Sequence, residues 1–114
     1  MNPDCIFCRI IRGEAPSVML YQDEHAVAFK DIAPRAPVHI LIVPRLHIPS
    51  AAEVTPENTA LLGHLIVVAA HVAREQGVAK RGYRLVTNVG WEGGQEIFHL
   101  HWHLLGGRQL HGLG

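Results

Sequence analysis

The stretch Ile97-Phe-His-Leu-His-Trp-His-Leu-Leu105 decides the fold, because polar and apolar side chains alternate along it. Such alternation predicts a β-strand, in which successive side chains point to opposite faces of the sheet. His99, His101 and His103 then share one face of the strand. The sheet is expected to have one face buried in the core and one face that carries the reactive imidazoles. A single histidine here would be ordinary polar surface, but three in strict alternation beside a glycine-rich loop favour a functional site.

Apolar segments earlier in the chain predict the rest of the sheet. Short runs bounded by polar, glycine or proline residues are typical of strands. A helical turn is expected over residues 5–11, and four further strands over residues 18–21, 26–29, 38–43 and 83–87. The final strand, over residues 97–105, completes a largely antiparallel sheet of five.

One long helix is predicted in the middle of the chain. Thr55 suits the cap, Pro56 suits the first helical position and Gly77 marks the end. Apolar residues recur between them at helical spacing. The expected buried face consists of Leu61, Leu62, Leu65, Ile66, Val68, Ala69 and Val72. Strands around one such helix indicate an α+β fold, with the whole chain, residues 1–114, forming a single domain.

Composition excludes several classes of function. The 114 residues carry 10 Lys+Arg and 10 Asp+Glu, so the formal net charge is zero. Without a basic field, binding to nucleic acid or to an anionic membrane is not expected. The N-terminus resembles no secretion signal, and no apolar run is long enough to span a bilayer. The sequence predicts a cytoplasmic protein, and nothing in it calls for an organic cofactor.

A glycine-rich loop precedes the last strand, with the sequence Asn88-Val-Gly-Trp-Glu-Gly-Gly-Gln95. Glycines allow backbone N–H groups to approach an anion, and amide side chains add donors without a full charge. Hairpin loops are commonly glycine-rich for conformational reasons alone. Beside three imidazoles, however, the loop becomes a candidate phosphate cradle, where a neutral imidazole nitrogen attacks a phosphoryl or nucleotidyl group.

These residues resemble the histidine triad superfamily of nucleotide hydrolases and transferases. His99-Leu-His-Trp-His-Leu-Leu105 matches the family pattern of three histidines separated by apolar residues. The likeness extends to Cys5-Ile-Phe-Cys-Arg-Ile-Ile11, Asp31-Ile-Ala-Pro-Arg-Ala-Pro-Val-His39, Pro44-Arg-Leu-His-Ile48 and Leu104-Leu-Gly-Gly-Arg108. It is strongest to the bacterial type of the Hint branch, the histidine triad nucleotide-binding proteins. The resemblance implies a purine nucleoside 5′-phosphoramidate hydrolase, usually a homodimer with a continuous sheet.

The resemblance also implies roles for individual residues. His101 would form a covalent nucleotidyl-histidine intermediate, assisted by His103 and His39. Asp31 would bind the ribose hydroxyls, and AMP or GMP would be the nucleotide product. The other matching nucleotide-site positions are Phe7, Phe29, Ile32, Asn88, Gly94, Gln95 and Glu96. The residues themselves leave other interpretations open: His39 as an edge-strand polar group, Asp31 as a turn residue, and the phenylalanines as core.

Cys5 and Cys8 form a Cys-x-x-Cys pair that admits a metal, a redox or a free-thiol interpretation. The redox interpretation is weak because no thioredoxin-like βαβ pattern surrounds the pair. Structural zinc sites commonly use two cysteines and two histidines. By resemblance to metal-bearing relatives, His47 and His99 would complete a zinc site, whereas free thiols remain the simpler alternative.

The sequence also leaves alternative functions open and contains histidines outside the two predicted sites. The alternatives to phosphoramidate hydrolysis are a dinucleoside polyphosphate hydrolase or nucleotidyl transferase, a nucleotide-binding regulatory module, and a metal-binding structural protein. The leaving-group acid is open, because Glu96 stands where some relatives carry Ser. His64 and His71 are expected on the helix surface or at a dimer interface, and His25 and His111 in loops.

Overall fold

The computed structural model describes residues 4–113, and the predicted α+β architecture is confirmed. A five-stranded sheet in the order β1-β2-β3-β5-β4 has every neighbouring pair antiparallel. Its strands are β1 (Met19–Gln22), β2 (Ala26–Lys30), β3 (Val38–Pro44), β4 (Tyr83–Val86) and β5 (Trp102–Gly106). The helices are the short α1 (Ile6–Ile11) and the long α2 (Thr59–Glu75). The single-domain prediction also covers residues 1–3 and 114, which lie outside the described residues.

The last strand is shorter than its alternating sequence predicts. β5 begins at Trp102, so His99 and His101 precede it. Their segment is bound to loops and a strand end: the Leu100 N–H donates to the Ile48 carbonyl, and the Thr87 hydroxyl to the His101 carbonyl. The two-residue alternation nevertheless persists through this extended segment. Leu100 and Leu104 lie in the core beside α2, whereas the rings of His99 and His101 contact Phe7 of α1.

Both faces of the central sheet are covered, which corrects the expectation of a single buried face. α2 packs on one face of β2 and β3, with Leu65, Val68 and Val72 fully buried. On the other face α1 contributes to a second apolar cluster, formed by Cys5, Phe7, Cys8, Val27, Phe29, Leu41 and Val43. The continuous apolar runs of β2 and β3 are the physical reason, because a strand buried on both sides shows little alternation.

The long helix agrees with its predicted limits except in its first turn. A 3-10 turn over Pro56–Asn58 precedes α2, and the Thr55 N–H donates to the Asn58 side chain. Gly77, with a φ of 77°, ends the helix in a conformation that disfavours a Cβ. Ile66 was expected in the buried face but is 41% exposed. One residue corresponds to about 100° around a helix, which turns Ile66 away from the face centred on Leu65.

Candidate active site and metal centre

A cleft of about 580 Å³ lies beside the histidine segment, between α1, the loop after β2 and the β4–β5 loop. Most of the predicted site residues line it: Phe7, Phe29, Asp31, Ile32, His39, Asn88, Gly94, Glu96, His101 and His103. The structure therefore brings together residues from five separate parts of the chain. Gln95 is the predicted nucleotide-site residue that does not line the cleft. His47 and His99, predicted as metal ligands, are absent from the lining as well.

The tautomer of His101 follows from its backbone partner. Its Nδ1 lies 2.7 Å from the carbonyl oxygen of His99, and a carbonyl oxygen only accepts hydrogen bonds. Nδ1 therefore carries the hydrogen, and in the neutral ring Nε2 carries the lone pair. The bond from Thr87 to the His101 carbonyl, 2.7 Å long, holds the backbone of the same residue. The structure thus presents an unprotonated, well-oriented imidazole nitrogen at the cleft.

A second chain of hydrogen bonds links Asp31, His39 and His103. The backbone N–H of Arg35 donates to His39 Nδ1 over 3.0 Å, so the ring hydrogen of His39 is on Nε2. That Nε2 lies 2.9 Å from His103 Nδ1 and 3.3 Å from an Asp31 carboxylate oxygen. His103 Nδ1 accepts, which leaves its hydrogen on Nε2. The three side chains therefore form an ordered relay beside His101, whose ring centroid lies 4.9 Å from that of His103.

The imidazoles of the cleft are held neutral. Burial lowers the pKa of His101 and of His39 below the ordinary histidine value. Burial lowers the pKa of His103 to about 4, and its neighbours His101 and His39 add to the effect. Because burial disfavours the charged ring, lone pairs stay available at neutral pH. A neutral imidazole is the form needed for a nucleophile or for a hydrogen-bonded relay.

One end of the cleft is apolar. The rings of Phe7 and Phe29 are both buried and meet edge to face, with centroids 5.5 Å apart. Phe7 also contacts His101, at a centroid distance of 5.0 Å. Ile32 is 95% exposed although it lines the same cleft, which places it at the rim. An apolar wall next to a carboxylate and imidazoles suits a planar base joined to a ribose and a phosphate.

The glycine-rich loop is held in shape by its own amides. The Gln95 amide nitrogen donates to the carbonyls of Pro49 and Ile97, and its oxygen accepts from the Gly90 N–H. Asn88 donates to the Gly93 carbonyl. Gln95 is buried, which is why its side chain is absent from the cleft lining although Asn88 and Gly94 are present. Its contacts stabilise the loop that borders the site.

A second cluster brings together Cys5, Cys8, His47 and His99, whose donor atoms lie within 4.8 Å of one another. His47 Nδ1 lies 3.1 Å from His99 Nδ1 and 3.4 Å from Cys8 Sγ, and Cys5 Sγ lies 3.4 Å from His99 Nδ1. Zinc bond lengths place tetrahedral nitrogen and sulfur ligands about 3.3 to 3.6 Å apart. The two nitrogen–sulfur separations lie within this range, and the nitrogen–nitrogen separation of 3.1 Å is slightly shorter. The cluster therefore has the spacing of a four-ligand metal site.

Hydrogen bonding around His99 supports the same conclusion. Its Nε2 lies 2.8 Å from the Pro44 carbonyl and donates to it, so Nδ1 carries the lone pair and faces the two sulfurs. A metal-ligating histidine typically donates its other N–H in this way. Burial lowers the pKa of His99 to about 4, which keeps the ring neutral. The donors thus fit a structural metal ion.

Asp31, His39 and His103 are also close enough to hold a metal, but their protons argue against it. His39 accepts from Arg35 on Nδ1, so the Nε2 that faces the cluster carries a hydrogen and has no lone pair for an ion. The same atoms suit a hydrogen-bonded relay. The two clusters are chemically distinct although they lie on neighbouring segments.

Sequence reasoning missed several residues that shape the site. The Thr87 hydroxyl donates to the His101 carbonyl, and the Pro44 carbonyl accepts from the His99 ring. Both partners are distant from the histidines in the sequence, so no sequence signal indicates these contacts. Arg35 and Lys30 line the cleft and carry the only positive side-chain charges in its described lining. Arg35 could have been found, because it lies between Asp31 and His39 in a segment already assigned to the site.

Comparison with known proteins identifies the class that this fold and site define. The model of the HIT domain, the histidine triad domain, matches residues 12–110. The chain belongs to the HIT domain family. The family resemblance inferred from the three histidines is therefore confirmed.

Individual relatives match over nearly the full chain. The purine nucleoside phosphoramidase of Escherichia coli is 50% identical over 110 residues, which cover 96% of this chain and 92% of that protein. A HIT family hydrolase from Clostridium thermocellum superposes with a TM-score of 0.96 at 45% identity, covering 99% of this chain and 98% of the other. A histidine triad protein from Clostridium difficile also gives 0.96, at 40% identity, covering 100% and 99%.

Proposed function

We propose that this chain hydrolyses purine nucleoside 5′-phosphoramidates through a covalent nucleotidyl intermediate on His101. The observation that carries the proposal is the hydrogen bond from His101 Nδ1 to the His99 carbonyl, which leaves an unprotonated Nε2 at the cleft. The similarity to a purine nucleoside phosphoramidase at 50% identity supports the substrate class. AMP or GMP would be the nucleotide product.

The cleft supplies a place for each part of such a substrate. Phe7, Phe29 and Ile32 would contact the purine, and the Asp31 carboxylate would accept hydrogen bonds from the ribose hydroxyls. Asn88, Gly94 and Glu96 line the region that would hold the phosphate and the leaving group. Gln95 would act indirectly, through the loop that its amide stabilises.

The chemistry proceeds in two displacements. The lone pair of His101 Nε2 forms a bond to the α-phosphorus as the bond from phosphorus to the amine breaks. The electron pair of the broken bond stays on the amine nitrogen, which takes a proton from water at the open side of the cleft and leaves. The Nε2–H of His103 would donate to a phosphoryl oxygen, and His39 with Asp31 would keep His103 in that tautomer. Water then breaks the phosphorus–nitrogen bond to His101, which releases the nucleoside monophosphate and restores the neutral imidazole.

The His101→Ala variant tests this proposal. Loss of the nucleophile is expected to reduce kcat on an adenosine phosphoramidate by at least about 10³-fold. His25→Ala is the matched control, because His25 is an exposed loop histidine that is not among the described lining residues of the cleft. Wild-type turnover in His101→Ala would disprove the assignment of the nucleophile.

The four-ligand cluster is proposed to bind structural zinc through Cys5, Cys8, His47 and His99. Two thiolates and two imidazoles are a common zinc set, and the donor spacing and the His99 tautomer fit it. A bound ion would tie α1 to the segment that carries His101. It would supply no step of the reaction, since none of the four side chains lines the cleft. The contact of these residues with the proposed nucleophile is through the His99 carbonyl, which accepts from His101.

We also propose that the chain dimerises through an edge of its sheet and acts in the cytoplasm. β1 and β4 are the outer strands, and an unpaired edge strand is suited to pairing with a second copy. Neither helix within residues 4–113 is long and apolar enough to cross a membrane. Two buried cysteines without a disulfide suit a reducing compartment. Sedimentation analysis of the purified protein would test the dimer.

A further inference from the structure

An ion pair that the proposed reaction does not use lies at the cleft. The Arg35 guanidinium is 3.4 Å from the Glu96 carboxylate. Arg35 belongs to the loop between β2 and β3, and Glu96 follows the glycine-rich loop before β5. Both residues line the cleft, so the pair connects two separate loops beside the site.

The charges of this pair act on the catalytic imidazoles. Burial is the main cause of the lowered pKa of His39 and His103, and the positive charge of Arg35 adds to it. The negative charge of Glu96 instead opposes the lowering of the pKa of His101 by burial. The two charges therefore bear on the imidazoles that line the same cleft.

The Arg35–Glu96 ion pair is weak enough for Arg35 to exchange Glu96 for another anionic partner. Its side chains are 74% and 79% exposed, and ion pairs so exposed contribute little to stability because water and salt screen them. The backbone of Arg35, by contrast, is fixed at both ends of the residue. Its N–H donates to His39, and its carbonyl accepts from the Arg108 guanidinium over 3.0 Å. The backbone of Arg35 is thus fixed, whereas its guanidinium can exchange Glu96 for an anionic group of a ligand.

The geometry of displacement places the leaving group near this pair. In phosphoryl transfer the attacking atom and the leaving atom are roughly in line on opposite sides of the phosphorus. His101 is only 7% exposed, so a group leaving opposite its Nε2 faces the open side of the cleft. Arg35 and Glu96 line the cleft with side chains that are mostly exposed, so they border its open mouth.

We infer that Arg35 is a specificity-determining residue that binds a carboxylate carried by the amine leaving group, replacing Glu96 as its partner. A guanidinium matches a carboxylate with two parallel hydrogen bonds, which favours an anionic group over a neutral one. The preferred substrates are then nucleoside phosphoramidates formed on the nitrogen of an amino acid. This inference rests on the proposed function and specifies its leaving group.

Two matched substrates test the inference. One is the adenosine phosphoramidate of an amino acid, and the other is that of the corresponding decarboxylated amine. In Arg35→Gln the ratio of kcat/KM for the first substrate over the second is expected to fall about tenfold. In Glu96→Gln the ratio is expected to rise, because the carboxylate that competes for Arg35 is gone.

The outcomes separate this inference from the proposed function. An unchanged ratio in Arg35→Gln overturns the inference. If the ratio is unchanged because kcat/KM falls equally on both substrates, Arg35 serves the phosphoryl group that they share. If the wild type cleaves neither substrate, the proposed function fails. The ratio of the two dissociation constants, measured by calorimetry in wild type and Arg35→Gln, then decides the role of Arg35 on the same criterion.

Discussion

At the scale of single residues, the carbonyl partners of His99 and His101 set which ring nitrogen carries the hydrogen. His99 and His101 are two positions apart on one side of the chain, yet they expose different nitrogens. His99 donates from Nε2 to Pro44 and presents Nδ1 to the cysteines. His101 donates from Nδ1 to the His99 carbonyl and keeps the lone pair of Nε2. The proposed metal site and the proposed nucleophile thus use the same residue type in two tautomers, set by different backbone contacts.

The buried state of His103 predicts a loss of stability in acid. Its pKa is about 4 in the folded protein, below the ordinary value of about 6.5 that an unfolded chain would show. Between those values the unfolded chain binds more protons, so the free energy of unfolding falls as the pH falls from about 6.5 towards 4. Other buried imidazoles contribute in the same direction.

The variant His103→Asn should show a shallower fall. Urea unfolding of both proteins at about pH 7 and about pH 4.5 measures the two differences. Equal differences in wild type and variant would show that the folded protein does not disfavour protonation of His103.

At the scale of elements, the glycine-rich loop has a close backbone approach that only glycine permits. A Cβ on Gly93 would overlap the carbonyl oxygen of Val89. Gly93→Ala must therefore displace the loop that carries Asn88 and Gly94 into the cleft lining. We expect kcat/KM on a phosphoramidate to fall by about tenfold or more, since small misplacements at a site cost about that much or more.

Gly63→Ala is the matched control for this loop variant. Gly63 lies within α2, and an added Cβ meets nothing within 4 Å. Alanine in a helix is favoured over glycine, so the control should be more stable by roughly 0.5 to 1 kcal/mol with unchanged activity. Wild-type activity in Gly93→Ala would contradict the role given to the loop.

Local pattern predicted most elements but not where they end. The alternation around His101 correctly assigned the two sides of the chain, because side-chain direction depends only on extended backbone. The alternation did not show that β5 begins only at Trp102. That limit depends on the hydrogen bonds of Leu100 with Ile48 and of His101 with Thr87. Ile66 was misplaced for a related reason: the width of a buried helical face depends on the sheet beneath it.

At the scale of the whole molecule, the zero net charge is consistent with a site built from imidazoles and amides. Most residues that line the cleft were predictable because they form a specific pattern that spans the chain. Their hydrogen-bond order was not, because Arg35, Pro44 and Thr87 reach the histidines only in the folded protein. Gln95 shows the limit most clearly: its position matched the site, but its amide faces the loop backbone.

Metal removal is expected to destabilise the whole fold. A zinc-specific chelator should lower the Tm of the purified protein by about 10 °C or more, because one kcal/mol shifts the Tm of a domain this size by roughly 4 °C or more. His47→Asn should abolish stoichiometric zinc and show no further shift with chelator. His111→Asn, in the exposed C-terminal segment, is the control. A zinc-free protein whose Tm ignores chelator would contradict the metal site.

Detection of the covalent intermediate is the most direct test of His101 as the nucleophile. Wild-type protein is mixed with an adenosine phosphoramidate, quenched during turnover and analysed by intact mass and peptide mapping. If His101 is the nucleophile, the wild type gains an adenylyl group on His101, and His101→Ala shows no such adduct. Turnover without any adduct, or an adduct on a residue other than His101, would contradict this assignment.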